Sequence, residues 1–200
     1  LIVRGWAVTG SRIGLADVVR AFAPTTLVGV SGQAASFTED IVRTMHAAVA
    51  RPIILTLSNP TSKVEARPEQ LLAWTNGAAI IGTGSPFAPV LHDGVTYHIG
   101  QCNNAFVFPG IGLAASVVGA KSVPDAAFAA AAAAVHEATG TSNVPGTSIF
   151  PPIAELRAVS ARVAIGGASA GGGLAGGAFM GWGGSSLAGS SRRRGRGRPG

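Results

Sequence analysis

Three short apolar runs, each closed by a small polar loop and separated by amphipathic stretches, constrain this chain more than any other feature. Thr26-Leu27-Val28-Gly29-Val30 ends at Ser31-Gly32-Gln33, and Pro52-Ile53-Ile54-Leu55-Thr56-Leu57 ends at Ser58-Asn59-Pro60. The third run, Ala78 to Gly82, ends at Thr83-Gly84-Ser85-Pro86. Runs of this length bounded by Gly, Pro, Asn and Ser read as strands. The stretches beside them read as helices. Leu15, Val18, Val19 and Phe22 fall at helical spacing and stop at Pro24. Ser36 and Glu39 make a capping box ahead of Ile41, Met45, Ala48 and Val49, with an end near Ala50. Pro68 can open a helix that carries Leu71, Leu72 and Trp74. Strict alternation of helix and strand predicts an α/β fold with a parallel sheet. The second run is apolar nearly throughout, which suits a sheet covered on both faces. In open sheets of this kind ligands sit beyond the carboxyl ends of the strands. The loops at 31–33, 58–60 and 84–86 are therefore candidate ligand-lining segments.

Further along, Val95 to Ile99 predicts a short strand, followed by Gln101-Cys102-Asn103-Asn104. Pro109 with Ile111, Leu113, Val117 and Val118 suggests a buried helix. Pro124 starts another through the alanine-rich run to Ala138, and Pro152 a third through Ile153, Leu156 and Val159. The alanines have high helix propensity and allow close helix packing. Apolar residues make up 47% of the chain and charged ones 12%, which supports a core and excludes disorder across the whole length. From about Ile165 the pattern dissolves: residues 165–191 hold eleven glycines and no charge, and are expected to be disordered. That glycine content also argues against a membrane span, so no membrane partner is expected.

Charge is as uneven as glycine. Five of the fifteen Lys and Arg residues lie between Arg192 and Arg198, and residues 1–191 carry ten bases against nine acids. The basic character belongs to a tail, not to the folded part. The single cysteine, Cys102, excludes an internal disulfide framework and any Cys-based zinc site, and reads as a small buried residue. His46, His92, His98 and His136 form no metal-ligand spacing. The chain starts at Leu1 without a visible leader, so further sequence upstream and a cytoplasmic location are expected.

Four segments sharpen the reading. Leu57-Ser58-Asn59-Pro60-Thr61-Ser62-Lys63, Thr83-Gly84-Ser85-Pro86-Phe87, Gly100-Gln101-Cys102-Asn103-Asn104 and Phe108-Pro109-Gly110-Ile111-Gly112-Leu113 together resemble the large-type malic enzymes. Gly29-Val30-Ser31-Gly32-Gln33 and Phe37-Thr38-Glu39-Asp40-Ile41-Val42-Arg43 fit the same family, and the resemblance covers about residues 6–164 in order. It implies a Rossmann-like parallel sheet with flanking helices, present as a partial domain. A helical segment completes residues 1–164, and a disordered Gly/Arg-rich tail follows over 165–200. The implied activity is oxidative decarboxylation of malate to pyruvate and CO2, with NAD or NADP reduced and Mg or Mn required. A homo-oligomer is implied for the full-length family.

By the same resemblance Asn59 contacts malate on the nicotinamide side, and Asn103 or Asn104 supplies another contact. Asparagine suits this role because its amide donates hydrogen bonds and stays neutral at every working pH. Ser31, Gly32, Gln33, Ser58, Asn59 and Ser85 are the implied dinucleotide contacts. A plain turn at 31–33, at Asn59-Pro60 or at Ser85-Pro86 is the alternative for each. Ala105-Phe106 departs from the family, which often has an aliphatic residue and tyrosine there; the change is expected to affect packing more than chemistry. The general-acid tyrosine, general-base lysine, metal-holding carboxylates and Gly-rich dinucleotide turn of the family lie upstream of the matched region. Tyr97, Lys63 and Lys121 do not match those motifs, and the chain by itself is expected not to oxidise malate.

Two alternatives accompany this reading. One is a degenerate relative that binds nucleotide without turnover. The other rests on Arg196-Gly197-Arg198-Pro199, the core of an AT-hook, whose arginines could enter the narrow minor groove of A·T-rich DNA. The same tail composition fits out-of-frame translation of GC-rich DNA, and nucleic-acid binding is the weaker expectation.

Overall fold

Pro24 has no amide hydrogen to continue a helix, and the chain turns just before it. Ala23 adopts a left-handed conformation, φ 45°, and its N–H closes helix α1 (Leu15–Phe22) on Val19 O. The computed structural model describes residues 13–140 and 144–172. Strand β1 (Thr26–Gly29) follows, then α2 (Glu39–Ala48), β2 (Ile53–Thr56), α3 (Pro68–Trp74) and β3 (Ile80–Thr83). Thr26 pairs with Ile53 and Ile53 with Ile80, both ladders parallel and in step. The fourth strand, β6 (Gly100–Gln101), adds in parallel to β3, giving the order β1-β2-β3-β6. Between β3 and β6 a two-stranded hairpin, β4 (Val90–His92) with β5 (Val95–Tyr97), stands apart from the main sheet.

Neighbouring strands in chain order place both crossover helices on one face of the sheet. There Val19, Ile41, Val42, Met45, Leu71 and Leu72 pack on Leu27, Ile54 and Ile81. The other face is covered only in part. Phe150 and Ile149 lie over Gly82, and Phe150 over Gly100, whereas Val28 remains 50% exposed and Val30 74%. The expectation of a sheet covered on both faces therefore holds at β3, while on that second face Ile53 and Leu55 of β2 are only half-buried and Val28 of β1 is exposed.

The remaining helices, α4 (Phe108–Val118), α5 (Asp125–Thr139) and α6 (Leu156–Gly172), build a second core around Phe106, Ile111, Ala131, Val135, Val159 and Val163. Small residues let these helices approach closely. A Cβ on Gly110 of α4 would lie 2.5 Å from Ser160 O and 2.7 Å from Val163 Cβ of α6. Gly110→Ala is accordingly expected to lower stability by about 1–3 kcal/mol, through a clash that only helix displacement relieves. A urea midpoint equal to that of the parent would refute this.

Several sequence expectations are corrected. Helix α2 starts at Glu39 with Thr38 as its N-cap, not at a Ser36 capping box. The reason is long-range: Ala35 and Phe37 donate their N–H groups to Val64 O and Glu65 O, which holds residues 35–37 in a non-helical path. The strand expected over Val95–Ile99 ends at Tyr97 as β5, and β6 follows separately from Gly100 with a different partner. Helix α6 does not stop near Ala164 but continues to Gly172. Gly167 is buried there, with its Cα facing Ala114 of α4, and Gly166 faces Ala130 of α5, so glycine serves close packing. The Arg-Gly segment 192–200, the remainder of the expected disordered tail and residues 1–12 lie outside the described residues. Among the described residues no helix is long and apolar enough to cross a membrane.

Candidate functional site

Parallel pairing in step brings the carboxyl ends of β1, β2, β3 and β6 to one edge of the sheet, and their loops meet there. Leu57 N–H donates to Gly29 O at 2.8 Å, Gly84 N–H to Thr56 O at 3.0 Å, and Cys102 N–H to Thr83 O at 2.7 Å. Each ladder thus runs one step past its strand into the loop. Side chains then join the loops to one another. Ser85 Oγ donates to Asn59 Oδ1 at 2.5 Å, linking the loops after β2 and β3. Gln101 Nε2 donates to Gly84 O at 3.3 Å, linking β6 to the loop after β3. Gly32 N–H donates to Ser58 Oγ at 2.9 Å, linking the loops after β1 and β2. The peptide bond between Asn59 and Pro60 is cis.

The residues singled out from the sequence are gathered here, in two groups. Ser31, Gln33, Asn59 and Asn104 are exposed, and Gly32 and Asn103 half-buried. Gly32 has φ 67°, a conformation that favours glycine, and a side chain there would project into open space. Ser58 and Ser85 are buried, and their hydroxyl hydrogens are engaged by Glu65 and Asn59. They hold the loops rather than face outward. Asn103 Oδ1 accepts Ala105 N–H at 2.9 Å and caps the 3-10 turn Asn104–Phe106. The side chain of Asn104 makes no hydrogen bond among the described residues. Of the two asparagines left open by the sequence, Asn104 is the exposed one with neither amide atom hydrogen-bonded, whereas Asn103 has its Oδ1 engaged. Cys102 is half-buried, and burial pushes its thiol pKa up from the ordinary value, which makes it a poor nucleophile.

One residue of this edge escaped the sequence reading. Glu65 is fully buried, and its Oε1 accepts hydrogen bonds from Ser31 N–H at 3.2 Å and from Ser58 Oγ. The available signal was a lone acid between Val64 and Ala66, both buried. A cleft of about 690 Å³ lies elsewhere, beside Gly77 and Ala79 at the amino end of β3 and Arg51, His98 and His136. Gly140 and Val144 also line it. Among the described residues no three His, Cys, Asp or Glu side chains come together as a metal site, so none is assigned to a divalent cation.

A parallel sheet whose carboxyl edge gathers small polar loops, with crossover helices packed against it, defines the Rossmann-like α/β class. A family model described as malic enzyme, NAD binding domain, matches residues 3–170, and the chain belongs to that family. It is 50% identical over 165 residues to the NAD-dependent malic enzyme of Sodalis glossinidius (strain morsitans), which covers 82% of this chain and 29% of that protein. The NAD-dependent malic enzymes of Pectobacterium carotovorum subsp. carotovorum (strain PC1) and Acinetobacter baylyi (strain ATCC 33305 / BD413 / ADP1) are 45% and 46% identical over the same shares. The chain spans less than a third of the length of these relatives.

Proposed function

We propose that this chain supplies the dinucleotide-binding part of an enzyme that oxidatively decarboxylates malate to pyruvate and CO2, with NAD as hydride acceptor. The observation that carries the reading is the bond between Ser85 and Asn59, which fixes one amide of a family motif at the meeting point of two strand-end loops. The choice of NAD over NADP is supported by the relatives, all three of which are named NAD-dependent. The site suits such a ligand in shape, because Gly32 leaves open space above the loop after β1.

Within this reading the chain's own residues bind and orient. Ser31, Gly32 and Gln33 line the dinucleotide, while Ser58 and Ser85 hold the loops that present it. With Oδ1 engaged by Ser85, Asn59 has only a 3.5 Å contact from Nδ2 to Leu57 O, so its amide hydrogens are available to malate on the nicotinamide side. Asn104 offers a second neutral amide, and Asn103 sets the turn that carries it. Bound against these loops, the dinucleotide would supply the acceptor for the hydride of the malate C2 carbon. By the family resemblance the general-acid tyrosine, general-base lysine and metal-holding carboxylates belong to sequence upstream of the matched motifs, and no role here falls to Tyr97, Lys63 or Lys121.

Calorimetric titration with NAD is the direct test, and binding by the purified chain is expected. Asn59→Ala is expected to weaken that binding about tenfold, the effect of losing one well-placed hydrogen-bonding group. A chain that folds and takes up no NAD, or an Asn59→Ala variant that binds like the parent, would overturn the assignment. Malate-dependent NADH formation by this chain without the remainder would overturn the division of labour.

A further inference from the structure

The carboxylate of Glu65 sits beneath the loops after β1 and β2 and is joined to both. Its Oε1 accepts Ser31 N–H at 3.2 Å and the Ser58 hydroxyl, and Ser58 Oγ in turn accepts Gly32 N–H at 2.9 Å. The backbone of the same residue is tied to the next part of the loop, with Phe37 N–H donating to Glu65 O at 3.0 Å. Gly29 gives the side chain its room, since a Cβ there would lie 2.5 Å from the Glu65 carboxyl carbon. Glu65 is 0% exposed, its Oε2 has no hydrogen-bond partner, and no cation stands within ion-pair distance among the described residues. An acid so placed does not serve stability well, because burying an ionisable group without a cation is costly and an apolar side chain would fill the space better.

We propose that Glu65 is a positioning residue for the dinucleotide: it fixes the Ser31 and Gly32 amides and the Ser58 hydroxyl in the geometry that the cofactor meets. The inference rests on the NAD-binding reading above and adds to it a residue that touches no ligand. Glu65 sets the shape of the loop by accepting from two donors that belong to different strand ends. The part-buried Ser31 N–H, once its acceptor is gone, turns toward another partner and takes the loop with it.

The test compares two side chains of similar length. Glu65→Met fills the space with an unbranched apolar chain that cannot accept, and Glu65→Gln keeps an acceptor oxygen. NAD titrations of the full chain are expected to show about tenfold weaker binding for Glu65→Met, with recovery to within about threefold in Glu65→Gln. Hydrogen exchange is read beside them. Ser31 and Gly32 amides should exchange faster in Glu65→Met while Ile54 and Leu55 of β2 keep parental protection. A purely structural residue would raise exchange throughout and change the active fraction, not the affinity of the folded molecules. If Glu65→Met does not fold, Gly29→Ala combined with Glu65→Ala refills part of the space without an acceptor. It is expected to fold and still bind NAD weakly. Parental affinity in either variant overturns the positioning role and leaves the NAD reading standing. No NAD binding by the parent overturns that reading, and this inference with it.

Discussion

Gly84→Ala is expected to destabilise the protein by about 3 kcal/mol, at the upper end of what overpacking costs, and to abolish NAD binding with it. A Cβ on Gly84 would run into the carbonyl oxygen of Leu57, and would lie 2.7 Å from its carbon and 3.0 Å from its Cα. All three are backbone atoms, so no change of rotamer relieves the contact. The ends of β2 and β3 must part instead. That breaks the Gly84 N–H bond to Thr56 O and moves Ser85 away from Asn59. Stability and ligand binding are coupled here because one close approach serves both. Gly32→Ala is the useful contrast: φ is 67° but no atom lies within 4 Å of the new Cβ. Left-handed backbone strain of about 1 kcal/mol is then the whole expected effect on stability. Urea denaturation of the two variants decides the matter, and equal midpoints for Gly84→Ala and the parent would show that the strand ends are not locked at this point.

Much of this edge could be read without coordinates, because the signals involved are local. Pro68 does open α3 at its first position, and the run from Pro52 does contain β2. The loops at 31–33, 58–60 and 84–86 follow the strands to which the sequence attached them, and parallel pairing then gathers them without further information. What stayed hidden depended on residues distant in sequence. The start of α2 is set by Val64 and Glu65, nearly thirty residues beyond Ala35. The hairpin had a local signal that went unread, Asp93-Gly94, both with positive φ as the tight two-residue turn requires. Strand β6 is two residues long, too short for any periodicity, and exists because β3 offers an edge. The glycines of α6 look like a helix end until Ala114 and Ala130 are placed opposite them.

Phe106 carries the second large effect, and it connects the helical core to the substrate side of the proposed site. The ring is 1% exposed, packed with Ile111, Ala131, Val159 and Val163, and it ends the 3-10 turn that begins at Asn104. On the other side of that turn Cys102 N–H is bonded to Thr83 O, so the asparagines are held between the sheet and the buried ring. Phe106→Ala removes the inner anchor. A loss of about 3–5 kcal/mol is expected, the usual range for a phenylalanine deleted from a core. Phe106→Tyr tests how much polar surface that core tolerates. Its new hydroxyl must either find a partner or remain buried without one, at a cost of about 1–3 kcal/mol in the second case. The expected order of thermal stability is therefore parent, then Phe106→Tyr, then Phe106→Ala. Since Asn104 rides on the same turn, malate should weaken in step with this order, while NAD affinity at the loops after β1 and β2 changes far less. Those loops are tied through Ser58, Glu65 and Asn59, none of which belongs to the Phe106 core. Equal loss of both ligands in folded Phe106→Tyr would mean that the two halves of the site share one anchor rather than two.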